Sequence, residues 1–273
     1  MNLLLIYPPR GQFKISNTVR ISFRSFIPPL GLLYLAKMAE LAGHHVKVID
    51  FGAEKDPIDT LQRSLSNVDA VGMTILTGIM RTHSQEIALE LKRLQPDIPL
   101  ILGGPHVSLF PQQSLRDHQA DVSVQGEAEY RIVPLLSALQ GKQPLSTISG
   151  ITYRDSSGIH TTSPCDPLKD LDALPFPARH LVKQYTYGFS FGVKVVPGVV
   201  TSMITSRGCP FHCTFCQQKA FNPMYQTMSP QKINEEIDEI VGQGYTSIVF
   251  ADDNFLASKK QTMLVMDHII QRS

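Results

Sequence analysis

Residues 1–140 repeat one unit, a short apolar run followed by a segment with helical spacing, and this alternation constrains the fold more than any other feature. Residues 3–7 form a continuous apolar run that stops at Pro8-Pro9, as a strand buried on both faces does. A helix is expected over 30–42, with Leu32, Leu35, Ala36 and Ala39 on one face and Gly43 closing it. The next strand is 46–50, and Asp56-Pro57 opens a helix to Leu65. Then come a strand at 70–74, a helix at 86–94 stopped by Pro96, and a strand at 99–102 running into Gly103-Gly104. A short helix at 112–118, a strand at 121–124 and a helix at 127–139 complete the series. Five strands alternating with helices predict an α/β fold, a parallel doubly wound sheet of the flavodoxin-like kind. Ligands of such sheets sit beyond the carboxyl ends of the strands. Those ends are rich in glycine and proline here, at Pro8-Pro9, 74–78, 103–106 and 125–127.

The period changes after this unit. Residues 151–153 and 159–162 flank an Asp-Ser-Ser-Gly turn and read as a β-hairpin. Residues 164–197 carry prolines and scattered aromatics without a period, an ordered linker whose Leu171, Leu174 and Phe176 should pack across two domains. Alternation resumes with a strand at 199–205, a loop at 206–221, an N-cap at Ser229-Pro230 and a helix along Ile233, Ile237, Ile240 and Val241. A strand at 247–251 runs into Asp252-Asp253-Asn254, and a last helix starts at 258. The expected division is 1–146, a hairpin and linker at 147–198, and a second domain from 199 to 273.

Composition excludes several classes. With 42% hydrophobic and 18% charged residues and a formal net charge of +1, the chain is neither disordered nor a polybasic nucleic-acid binder. No apolar run approaches the ~20 residues of a membrane span, and the first residues lack a basic start, so a cytoplasmic protein without a signal peptide is expected. Of 4 cysteines, Cys209, Cys213 and Cys216 fall together, which in a reducing compartment reads as metal binding. Thiolates spaced x3 and x2 suit one face of an iron–sulfur cubane, leaving one iron open to a ligand. A structural zinc site with His212 or Cys165 as fourth ligand is the alternative.

The string Cys209-Pro210-Phe211-His212-Cys213-Thr214-Phe215-Cys216, after an apolar strand and before a helix, closely resembles the cluster motif of the radical S-adenosylmethionine (SAM) superfamily. The resemblance implies a 4Fe-4S cluster on the three cysteines, SAM bound at the open iron, and Phe215 near the adenine. It also suggests that Asp252 and Asp253 face the SAM end of a (β/α) barrel of which the chain holds the first βα units. A capped turn opening the next helix is the plain alternative for these acids.

The amino-terminal strings Pro28-Pro29-Leu30-Gly31-Leu32, Gly43-His44-His45-Val46, Gly103-Gly104-Pro105-His106 and Gly126-Glu127-Ala128-Glu129, in that order, resemble the cobalamin-binding domain of cobalamin-dependent (class B) radical SAM enzymes. Under that resemblance Gly103, Gly104 and Gly126 lie under the corrin or its nucleotide tail, Thr74 and Thr77 donate hydroxyl hydrogen bonds, and Glu127 belongs to the same slot. Tight βα turns would also explain the glycines. No Asp-x-His-x-x-Gly string follows the first strand, so a lower axial histidine from that loop is not expected. His106 is the nearest substitute, although a loop histidine more often serves as a hydrogen-bonding residue.

The implied activity is methyl transfer to an unactivated carbon through methylcobalamin and a 5′-deoxyadenosyl radical, with a small-molecule substrate and a flavodoxin- or ferredoxin-type electron donor. Radical cyclisation or oxidation without methyl transfer, and a shortened cobalamin-binding module without turnover, are the alternatives.

Overall fold

The computed structural model describes residues 1–10, 25–217 and 224–272. In chain order the first unit comprises β1 (Asn2–Tyr7), α1 (Leu30–Leu41), β2 (His45–Asp50), α2 (Pro57–Ser64), β3 (Ala70–Thr74), α3 (Ile79–Leu94) and β4 (Leu100–Gly103). It continues with α4 (Pro105–Leu109), α5 (Pro111–Asp117), β5 (Val122–Val124), α6 (Ile132–Leu139), β6 (Ile151–Asp155) and β7 (Gly158–Thr161). The rest comprises β8 (Phe189–Ser190), β9 (Val193–Lys194), β10 (Val200–Met203), β11 (Ser206–Arg207), β12 (Gln226–Thr227), α7 (Pro230–Gly242), β13 (Ser247–Phe250) and α8 (Lys259–Arg272).

The large sheet has the order β2-β1-β3-β4-β5-β6-β7. The first five strands pair in parallel and follow the flavodoxin-like order, while β6 and β7 pair antiparallel. The hairpin expected within the linker segment is therefore the sheet's edge, and the expected five strands become 7. Its physical cause lies on β5, whose outer edge would otherwise expose unpaired backbone. Val122, Ser123 and Val124 find Tyr153, Thr152 and Ile151 instead.

Alternate residues of β1 enter opposite cores. Leu3, Leu5 and Tyr7 pack with Leu32, Leu33, Ala36 and Ala39 of α1 and with Leu135 and Leu136 of α6. Leu4 and Ile6 pack with Leu61, Ile87 and Leu91 of α2 and α3. A strand buried on both faces has no polar side to present, which explains its continuous apolar run. Helix α1 is itself covered twice, since Leu30 and Tyr34 join a third core with Met203, Ile233, Ile237 and Ile240 of the second unit. The linker's Leu171 and Leu174 belong to that third core, and Phe176 lies under Lys232 at 4.3 Å. The two units thus share one apolar seam.

Two helices start away from their expected positions. Helix α3 begins at Ile79, a full two turns before 86, because its buried face carries polar groups that look exposed in sequence. His83 Nδ1 meets the Pro9 carbonyl at 3.0 Å and Ser84 Oγ meets His118 Nε2 at 2.8 Å. Helix α6 begins at Ile132, after 127, leaving Glu127 and Glu129 on a loop. In the second unit β10 and β13 pair in parallel around α7, and Ser229 Oγ accepts from Lys232 N at its N-cap. No helix among the described residues is long and apolar enough to cross a membrane.

Asp50 ends β2 fully buried, accepting from Ser25 Oγ (2.8 Å), Gly52 N (2.9 Å) and Ala53 N (3.3 Å). Burial outweighs these donors and pushes its carboxyl up to about 6 from the model-compound value of 3.8. The folded state therefore holds a proton that the unfolded chain releases earlier. Stability falls as pH rises from about 4 to about 6, by up to about 3 kcal/mol. Denaturant unfolding across this range should show that slope, and Asp50→Asn should flatten it. An unchanged slope in the variant would place the titration elsewhere.

Candidate functional site

The strand order reverses between β1 and β3, and the carboxyl ends of these strands open into a cleft of about 600 Å³. Tyr7, Arg10, Thr74, Gly104, Gly126 and Glu127 line it from the large sheet, and Ser206, Arg207, Asp252 and Asp253 line it from the second unit. A blind apolar pocket of about 220 Å³ continues from it beneath α1 and α6, past Gly72, Gly103, Ile132 and Leu135. Thr74, Gly104, Gly126 and Glu127 border both spaces. Both sets of strand ends therefore face one another across a single opening.

Gly104 lets the turn after β4 close on the end of β3 at this opening. Its φ is +96°, and a Cβ there would lie 2.6 Å from Thr74 Oγ1 and 2.9 Å from the Ile75 carbonyl. Gly103 is different, because a Cβ there would touch nothing within 4 Å. Thr77 and His106 line neither space. They bond to each other, Oγ1 to Nδ1 at 3.1 Å, and His106 packs against Phe110 with its Nε2 buried and without a hydrogen-bond partner among the described residues. Burial, aided by Arg81, lowers the His106 pKa. The hydrogen-bonding role for His106 is what its position supports, and the structure does not bring it or Thr77 to the cleft. The loop after β1 in which an axial histidine was looked for lies largely outside the described residues.

The acids at the end of β13 bond to the segment that follows β10. Asp252 accepts from Thr205 N (3.0 Å), Thr205 Oγ1 (2.8 Å) and Ser206 Oγ (2.6 Å), so its carboxylate ties the end of β10 to the end of β13. Asp253 accepts from Gly208 N at 3.2 Å. Both therefore brace the start of the cysteine loop while bordering the cleft. Glu127 is likewise occupied, accepting from Arg207 Nη1 (2.8 Å) with one oxygen and from Leu168 N (2.7 Å) with the other.

The loop itself leaves the protein at Gly208, whose φ of +77° and closeness to the Met224 carbonyl admit no side chain. Cys209 is half-buried, Cys213 and Cys216 are exposed, and all are free thiols. Cys216 N donates to the Cys213 carbonyl at 3.1 Å, and the Phe215 ring is 90% exposed. Among the described residues no group of three or more His, Cys, Asp or Glu side chains assembles as a metal site. The three cysteines share a loop but are not drawn into one ligand set, and Cys165 sits apart, against Gly150. In donor type and number the loop fits a soft metal cluster with an open coordination position. In its size and in the largely apolar lining of its inner pocket, the cleft fits a broad, largely apolar plate with a tail.

Arg207, Glu129 and Tyr34 border the cleft as well, beyond the residues expected there. The available signal was an arginine directly before Gly-Cys and two glutamates at i and i+2, which share a side in extended chain.

A doubly wound domain with a cleft at its switch point, facing a thiol-bearing βα unit, is a cofactor-binding architecture of two parts. The B12 binding domain family matches residues 16–136, and the Radical SAM superfamily matches residues 203–271. An uncharacterised methyltransferase of Pyrococcus horikoshii is 30% identical over 96% of this chain and 56% of its own length. The anaerobic magnesium-protoporphyrin IX monomethyl ester cyclase of Synechocystis sp. is 28% identical over 87% of this chain and 46% of its own. The hopanoid C-2 methylase of Rhodopseudomonas palustris is 25% identical over 96% and 44%. Among solved structures, the radical SAM methyltransferase TsrM of Kitasatospora setae, with cobalamin and a 4Fe-4S cluster bound, shares the fold at TM-score 0.71 and 22% identity, over 99% of this chain and 51% of that one. The chain belongs to the cobalamin-dependent radical SAM enzyme family. It spans about half the length of the curated relatives it matches.

Gly104→Ala should lower stability by about 1–3 kcal/mol, through its positive φ and the contacts of the added methyl. Gly103→Ala should be near neutral. Thermal unfolding of the pair checks this, and equal midpoints would refute the crowding argument.

Proposed function

We propose that the protein takes part in radical SAM chemistry as a cobalamin-dependent methyltransferase acting on an unactivated carbon of a small-molecule substrate. The observation that carries this reading is that the two sets of strand ends open onto one cleft, with the thiol loop hung from its rim. Cys209, Cys213 and Cys216 would ligate a 4Fe-4S cluster, and SAM would bind there beside Phe215. The corrin would lie in the cleft against Thr74, Gly104 and Gly126, its tail in the apolar pocket past Gly103 and Leu135. When bound, the cluster supplies the electron that cleaves SAM and the corrin carries the methyl group. The chain's own task is placement and exclusion of water. Asp252 and Asp253 hold the root of the loop, Gly104 admits the plate, and α1 and the linker close the seam between the units.

In this reading residues 1–146 form the cobalamin domain, 147–198 the hairpin and linker, and 199–273 the opening βα units of a radical SAM barrel. A flavodoxin- or ferredoxin-type donor would reduce the exposed loop. A cytoplasmic setting suits free thiols, and the near-zero net charge argues against a nucleic-acid partner.

A second reading, ring formation without methyl transfer, is favoured by the likeness to the Synechocystis cyclase. Anaerobic reconstitution with iron, sulfide, hydroxocobalamin and methyl-labelled SAM, followed by reduction in a small-molecule extract, separates the two. Label in a carbon product supports methyl transfer, and deoxyadenosine without label supports cyclisation.

Replacing Cys209, Cys213 or Cys216 singly by alanine should abolish the reduced cluster's electron paramagnetic resonance signal, whereas Cys165→Ala should preserve it. Zinc in place of iron, or loss of metal in the Cys165 variant, would favour the zinc alternative.

A further inference from the structure

Arg207 stands one glycine before the first cysteine, yet its side chain leaves its own unit. Nη1 donates to Glu127 at 2.8 Å and Nη2 donates to Glu129 at 2.6 Å, both on the loop between β5 and α6. The ring of Tyr34 on α1 lies under the guanidinium, 5.4 Å from its centroid. These charges are withdrawn from water, at 14% exposure for Arg207, 16% for Glu127 and 6% for Glu129. The bonding does not stop there. The second oxygen of Glu127 accepts from Leu168 N in the linker, and Gln226, paired with Arg207 across β11 and β12, donates to the Leu168 carbonyl. Four segments distant in sequence meet at one fork.

Two neighbouring carboxylates this far from water repel one another unless a cation lies between them. A planar guanidinium serves both in a fixed geometry, and a lysine, a single point donor on a flexible stem, does not. Burial works against the charge on Arg207, but Glu129 and Glu127 outweigh it and raise the pKa well above the usual arginine value. Because Arg207 and Cys209 are two Cα steps apart, at most about 7 Å, fixing the first nearly fixes the second. Gly208 leaves little slack, since Asp253 holds its N–H at 3.2 Å.

We propose that Arg207 is a positioning residue, and that its fork with Glu127 and Glu129 registers the cysteine loop against the strand ends of the large sheet. It sets the separation between what the loop holds and what the cleft holds. This deepens the function proposed above and rests on it for the identity of the two groups, although the clamp itself exists in the chain alone.

The test has an arm for each part. In the protein without cofactors, hydrogen exchange of peptides covering residues 205–217 should quicken about tenfold in Arg207→Gln, with peptides of β1 and β4 unchanged. Arg207→Lys should fall between, and Glu129→Gln should move in the same direction while keeping the shape. In protein loaded with cluster and cob(II)alamin and then reduced, the dipolar coupling between the two electron spins should be single-valued in the parent and broadened in Arg207→Gln at equal iron and cobalt content. A merely structural arginine would lower the melting point without altering that coupling. Parent-like exchange and parent-like coupling in the variants would overturn the proposal. If Arg207→Gln fails to fold, Arg207→Lys and Glu129→Gln decide it by the same two readouts. Should the parent bind neither iron nor corrin, the functional reading falls, while the exchange arm still decides whether the fork holds the loop.

Discussion

A strand buried on both faces can present ligand-binding groups only at its ends, and β1 imposes that condition on the whole molecule. Leu4 and Ile6 are enclosed by one layer of helices and Leu3 and Leu5 by the other, so neither face of the sheet is open. The groups that the sheet can offer a ligand must then come from the loops after β1, β3, β4 and β5. These loops border the cleft, and the second unit is placed where its own strand ends complete it. The apolar seam of Leu30, Tyr34, Leu171, Leu174 and Met203 keeps the two units in that relation.

Within that arrangement polar side chains act mainly on backbone and on one another. Asp252 collects donors from Thr205 and Ser206, Glu127 collects donors from Arg207 and Leu168, and the buried pair Arg179 and Glu236 joins the linker to α7 at 2.5 Å. Removing one partner from such a set leaves a buried charge uncompensated, which makes each set a rigid joint. The cleft accordingly has walls braced by these joints, and at Gly104 the turn after β4 closes tightly on the end of β3 beside it.

Much of this was readable from the order of residues alone. The β1–β5 alternation, the N-cap at Ser229, the linker's apolar contacts and the thiol loop follow from periodicity, capping chemistry and cysteine spacing, all of which are local. The errors share a cause. The start of α3 was hidden because His83 and Ser84 look solvent-facing until Pro9 and His118 are seen opposite them. The start of α6 was set too early because Glu127 and Glu129 resemble a helix's acidic first turn until Arg207 claims them. Thr77 and His106 belong to the two strand-end loops expected at the cleft, at 74–78 and 103–106, and they bond each other outside its lining.

Fold class, cysteine motif and family are legible in the order of residues, because period, punctuation and spacing act over a few residues. Folding in three dimensions is what makes the hairpin extend the sheet, sets Asp252 and Asp253 to brace the loop, and carries Arg207 across to Glu127 and Glu129. Each of these depends on partners tens of residues apart. Which donor a buried carboxylate finds is settled by packing, and no local pattern encodes it.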